Sequence, residues 1–112
     1  MQFAAKIVLS EGDTGFFGPG VRDLFRYIDS EKSVKAAAER MDLSYSKAWK
    51  MIRNVEKALG CPAVERSHGG PDGGSARLTG AGRNLLERYT EFEKKGNDSL
   101  KKLFEQEFSG LI

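Results

Sequence analysis

Two serines eleven residues apart, Ser33 and Ser44, constrain the fold of this chain more than any other feature. Each stands directly before a stretch with helical apolar spacing. Serine is favoured there because its hydroxyl accepts a hydrogen bond from a free first-turn N–H. Neither has Glu or Gln three residues on, so neither forms a full capping box. Ser33 opens a short helix from Val34 to Met41, rich in small residues through Ala36-Ala37-Ala38, and Asp42-Leu43 makes a tight connection. Ser44 opens a longer helix ending at Gly60, with Ala48, Ile52, Val55 and Leu59 along one face and Trp49 and Met51 beside it. Trp49 is assigned to the core. Ser46, Lys47, Lys50, Arg53, Asn54 and Lys57 fill the outer arc. Two helices joined by so short a turn, the second apolar within and basic without, form a helix-turn-helix.

The physics of that motif suits DNA. An α-helix fits the major groove, its N-terminal residues reach base edges, and flanking cations hold phosphates. Ser44, Tyr45, Ser46 and Lys47 occupy the first turn, where free N–H groups and the helix dipole also favour a phosphate. Lys50 and Arg53 follow on nearly the same face. The charge distribution agrees. Net charge is only +2, but residues 32–53 hold six basic side chains against two acidic ones, a balance of +4, while residues 1–31 stand at −2. A basic segment in a nearly neutral chain is the pattern of a nucleic-acid footprint, although a solvated helical face gives the same count.

The flanking segments extend the pattern. Residues 2–9 place Phe3, Ala5, Ile7 and Leu9 on one side at period two, which predicts a short N-terminal strand. Glu11 to Gly15 is turn chemistry, and Phe16 and Phe17 anchor a loop onto the core. Val21, Leu24, Phe25 and Ile28 give the stripe of a first helix that stops around Asp29–Lys32. After the helix-turn-helix, Pro62–Ser67 and Ser75–Thr79 read as two extended runs around a glycine-rich tip, a β-hairpin in the position of a wing. Arg66 and Arg77 then sit on its strands and His68 near its tip, where backbone or minor groove is within reach. Thr79 caps a last helix in which Leu85, Tyr89 and Phe92, then Leu100 and Leu103, keep a nearly heptad rhythm. Either that helix runs through Gly96, which permits close approach of a partner, or it breaks at Gly96-Asn97 and folds back. A continuous helix pairing with its symmetry mate is preferred over one that only packs on its own core.

The fold class expected is mainly α with a small β component: a winged helix-turn-helix with a short N-terminal strand, a three-helix core, a β-hairpin wing and a long C-terminal helix. A length of 112 residues fits one domain over 1–112, with the helix-turn-helix at about 33–60, the wing at about 62–79 and the dimerisation helix at about 80–108. No apolar run reaches the roughly 18 residues of a membrane span, and the start is a poor signal peptide, so a soluble cytoplasmic protein is expected. One cysteine, Cys61, excludes an internal disulfide and CxxC metal sites, and it is expected to be buried or half-buried. One histidine leaves little for zinc or nucleophilic catalysis. Glu91 and Glu93 point apart on a helix, and no phosphate-cradling glycine motif occurs, so no enzyme, metal or cofactor is expected. The alternative is a protein-interaction module on the same scaffold.

Taken together, Ser33-Val34-Lys35-Ala36-Ala37-Ala38, Leu43-Ser44-Tyr45-Ser46-Lys47-Ala48-Trp49, Val64-Glu65-Arg66, the paired glycines at 69–70 and 73–74, and Ala76-Arg77-Leu78-Thr79 with Gly82 resemble the N-terminal domain of molybdate-responsive ModE regulators. They are similar, more loosely, to the winged-helix domain of LysR-type regulators. The resemblance covers most of the chain. It implies a winged helix-turn-helix, a homodimer through the fourth helix and double-stranded operator DNA as partner. Ser44–Gly60 is then the recognition helix and Arg66–Arg77 the wing. In the full-length regulators the molybdate sites lie in a C-terminal effector domain, and no residues here match them. Molybdate sensing is therefore not implied.

Overall fold

A computed structural model describes residues 1–67 and 74–111. The chain runs β1 (Leu9–Glu11), β2 (Thr14–Phe17), α1 (Pro19–Glu31), α2 (Val34–Arg40), α3 (Tyr45–Leu59), β3 (Val64–Ser67), β4 (Ser75–Leu78) and α4 (Gly80–Glu107). This is a winged helix-turn-helix. Among the described residues no helix is long and apolar enough to cross a membrane.

The helix boundaries follow local chemistry. Pro19 suits the first position of α1, since its fixed φ is already helical and its missing N–H would have no partner there. Lys32 ends α1 in the left-handed region, its N–H bonded to the Ile28 carbonyl at 2.9 Å. Ser33 and Ser44 cap α2 and α3 as the sequence predicts, each Oγ accepting at 3.0 Å from the N–H three residues on. Between those helices Asp42 takes φ 54°, a conformation its short polar side chain tolerates, and Leu43 N–H returns to the Ala38 carbonyl. The small residues Ala37, Ala38 and Ala48 are buried in the core where α1, α2 and α3 meet. Leu24, Phe25, Ile28, Ile52 and Val55 fill the centre, and Trp49 lies at its edge.

The N-terminus differs from expectation. The period-two run does not form a strand over residues 2–9. Residues 1–8 have no regular structure and touch α4 instead, through Phe3 on Phe104 (ring centroids 5.0 Å apart) and the Ile7 carbonyl on the Tyr89 hydroxyl. The apolar side of this run packs on a helix, and alternation alone does not distinguish a helix from a sheet as the partner. Strand pairing starts only at Leu9, in a hairpin turning at Gly12, and it takes in Phe16 and Phe17 as part of β2. Phe17 enters the core edge-on to Phe25 and against Tyr89. Cys61 is exposed, not buried. It follows the left-handed Gly60 in the α3–β3 link, and Ala63 rather than Cys61 turns inward.

Helix α4 is continuous for 28 residues, through Gly96. Its start is clamped: the Thr79 hydroxyl accepts from Gly82 N–H and donates to the Pro62 carbonyl. Gly82 lies so close to the Ala63 carbonyl that a Cβ would collide with it. At Gly96 it is Ile7 of the same chain that approaches, its Cδ1 3.1 Å from where a Cβ would stand. Arg22 on α1 grips Glu93 of α4 at 2.6 Å, and Arg83 holds Asp29 in a two-pronged pair. The Arg83 guanidinium holds the Asp29 carboxyl below its ordinary value. Burial pushes the Tyr89 hydroxyl above its own, and the neighbouring Glu93 adds to the shift.

Candidate nucleic-acid interface

Helix α3 turns Ala48, Trp49, Ile52 and Val55 into the core, which leaves Tyr45, Ser46, Lys47, Lys50, Arg53 and Asn54 exposed on the opposite arc. This division follows from the 3.6-residue period and was legible in the sequence. The ion pairs are more informative. Among the described residues Lys32 faces Asp29, Arg40 faces Glu31 and Arg77 faces Glu65, but no carboxylate lies within salt-bridge reach of Lys47, Lys50 or Arg53. The α3 arc is thus left uncompensated among the described residues, as are Lys35 on α2 and Arg66 in the wing. Three unpaired cations on one helical face set up a positive potential that a polyanion relieves.

Ser44 is committed differently. Its Oγ accepts the Lys47 N–H, which leaves its hydroxyl proton for any outside partner. Tyr45, the first residue of α3, is 46% exposed, and its ring lies edge-on to Trp49 with centroids 6.4 Å apart.

The wing strands β3 and β4 pair Val64 with Leu78, Glu65 with Arg77, Arg66 with Ala76 and Ser67 with Ser75. Paired residues share a face, and successive residues alternate. Arg66 therefore lies on the face of Val64, Ala76 and Leu78, which packs on the core, and Arg77 lies on the outer face with Glu65. The two wing arginines expected to act alike are separated by this register. Arg77 donates to Glu65 at 3.0 Å, across the strands. Arg66 reaches α3: its guanidinium carbon stands 4.5 Å from the centroid of the Trp49 ring, and its Nη1 donates to the Tyr45 hydroxyl at 3.2 Å. His68 lies outside the described residues. Among the described residues no cluster of His, Cys, Asp and Glu is arranged to hold a metal.

Glu56 was not singled out from sequence. Its Oε2 accepts from the N–H groups of Ala63 (2.8 Å) and Val64 (3.4 Å), so α3 braces the strand that carries Arg66. A lone Glu on the flank of a helix carries no signal of such a role.

On α4 the expected partner-facing stripe splits. Tyr89 is 2% exposed, packed on Phe17 and bonded to Ile7, which takes it off the surface, and Leu85 is half-buried against the core. Phe92 (56% exposed), Leu100 and Leu103 (51%) remain open to solvent.

Comparison with known proteins places these features in context. The pattern described as "Bacterial regulatory helix-turn-helix protein, lysR family" matches residues 23–83, more than half of the chain. The Molybdenum transport protein ModE of Azotobacter vinelandii is 34% identical over 83 residues, 74% of this chain and 31% of that protein. The DNA-binding transcriptional dual regulator ModE of Escherichia coli is 31% identical over 88 residues, 76% of this chain and 34% of that protein. The chain thus spans about a third of the length of these curated relatives. A solved complex of the CbnR DNA-binding domain with DNA superposes with a TM-score of 0.57 at 25% identity, over 75% of this chain and 94% of that one.

Proposed function

The chain belongs to the lysR family of bacterial regulatory helix-turn-helix proteins, and we propose that it binds double-stranded DNA through α3 and so regulates transcription. The observation that carries this reading is the exposed arc of Lys47, Lys50 and Arg53 on one face of α3, with no carboxylate within salt-bridge reach among the described residues. In the major groove that arc meets phosphates and base edges, Ser46 and Tyr45 stand at the leading end of the helix, and the wing lies along the flanking backbone. The printed description of the Escherichia coli relative, a DNA-binding transcriptional dual regulator, supports this reading. The helix-turn-helix, wing and α4 act as one unit. A second copy pairs through Phe92, Leu100 and Leu103, and not through the Tyr89 side of the helix, so that two α3 helices address two half-sites.

The test is fluorescence anisotropy of a mixed-sequence duplex at ~50 and ~200 mM salt. Several phosphate contacts make the affinity fall by orders of magnitude between the two. Combined replacement of Lys47, Lys50 and Arg53 by alanine flattens that dependence. If the folded protein shows no binding at the lower salt, the proposal fails, and a protein-interaction role for the scaffold takes its place.

A further inference from the structure

Arg66, Tyr45 and Trp49 come from two elements and meet at the leading end of α3. The guanidinium of Arg66 lies over the Trp49 ring at 4.5 Å, and one of its nitrogens, Nη1, is tied to the Tyr45 hydroxyl at 3.2 Å. The ring beneath it is itself fixed, since Trp49 is 8% exposed and is held in the core. An arginine on a bare strand loses its rotamer freedom when it binds, but one already stacked and tethered has lost it on folding. The tether uses Nη1. The Nε–Nη2 edge, a pair of parallel N–H donors matched to two oxygens of one phosphate, makes no hydrogen bond among the described residues.

Resting on the DNA-binding reading above, we propose that Arg66 is a preset phosphate clamp, with Tyr45 and Trp49 as its positioning residues. It grips a backbone phosphate beside the leading end of α3 and fixes the angle between wing and recognition helix. Arg77 has no such part. It lies on the outer face of the hairpin, paired with Glu65.

The experiment measures anisotropy on the full chain with a mixed-sequence duplex at two salt concentrations, with folding of each variant checked by circular dichroism. Arg66→Lys keeps the charge but has neither the planar stack nor the fork. It should lose about tenfold in affinity while keeping the wild-type salt slope. Arg66→Ala should lose a similar factor and lower the slope by about one per chain. Tyr45→Phe should weaken binding severalfold in the wild-type background and have no further effect in Arg66→Ala, since the hydroxyl it removes acts through Arg66. Wild-type affinity in Arg66→Lys would reduce Arg66 to a point charge and overturn the clamp. An equal Tyr45→Phe loss in both backgrounds would remove Tyr45 as its positioning residue. If wild type binds and Arg66→Ala binds equally well, this inference alone falls. If folded wild type binds no duplex, the DNA reading falls with it.

Discussion

Gly82 and Gly96 lie in the same helix, and alanine at each is expected to move stability in opposite directions. In an unconstrained helix the change is favourable at either site by about 1 kcal/mol. At Gly96 the new methyl meets only the Cδ1 of Ile7, at 3.1 Å, the free end of a side chain that swings aside. Most of the gain should survive, about 0.5–1 kcal/mol. At Gly82 it meets backbone, the Ala63 carbonyl, which also accepts the Thr79 N–H at 2.9 Å. Neither backbone can move without disturbing the bonds at the start of α4. Overpacking of this kind costs about 1–3 kcal/mol, the strained backbone bond about 1 and the weakened Thr79 cap about 1. Set against the gain in helix propensity, Gly82→Ala should destabilise by about 2–4 kcal/mol. At about 4 °C per kcal/mol for a domain of this size, it should lower Tm by about 8–16 °C, and Gly96→Ala should raise it by about 2–4 °C. Thermal melts followed by circular dichroism at fixed protein concentration separate the two. A Gly82→Ala protein as stable as wild type would refute the close approach of α4 to Ala63, and with it the clamp between helix and wing.

Three further outcomes follow from contacts already described. Asp29, held below its ordinary value by Arg83, contributes stability that is full above the usual carboxylate pKa of about 4 and is lost as pH falls through the lowered folded value. The Tm gap between wild type and Asp29→Asn should therefore close on acidification; a gap that widened would assign the contact the wrong sign. Glu56→Ala leaves the Ala63 and Val64 N–H groups without their acceptor and should cost about 1–3 kcal/mol in urea unfolding, with faster hydrogen exchange at those two amides. Paired replacement of Phe92 and Leu103 by glutamate should leave the melting of the monomer core nearly unchanged and shift the sedimentation of the protein toward the single chain. Unchanged sedimentation of a dimeric species would place the interface elsewhere.

Features that depend on neighbours in sequence were legible before the fold was known. The caps at Ser33, Ser44 and Thr79, the stripe of α1 and the buried and exposed arcs of α3 are set by the helical period and the first-turn hydrogen bonds. Features that depend on which surface comes to meet a segment were not. Phe3 and Ile7 alternate like a strand, but they lie against α4. Tyr89 keeps heptad register with Phe92, yet one faces the core and the other solvent, because α4 leaves the core partway along its length. The meeting of Arg66 with Tyr45 joins residues 21 apart, on a strand and a helix, and no local pattern announces it.

The length of α4 carries a mechanical consequence. From Tyr89, its last fully buried side chain, to Glu107 the helix runs another eighteen residues, an arm of about 27 Å. Each degree of tilt at Tyr89 thus displaces the tip by about 0.5 Å. Residues 3–7 run alongside this arm like a guy-wire, fastened near its pivot by the Ile7 carbonyl and near its tip by Phe3 on Phe104. Releasing either fastening would loosen the arm without touching α3, so a change at the extreme N-terminus is carried along α4 to the far end of the molecule.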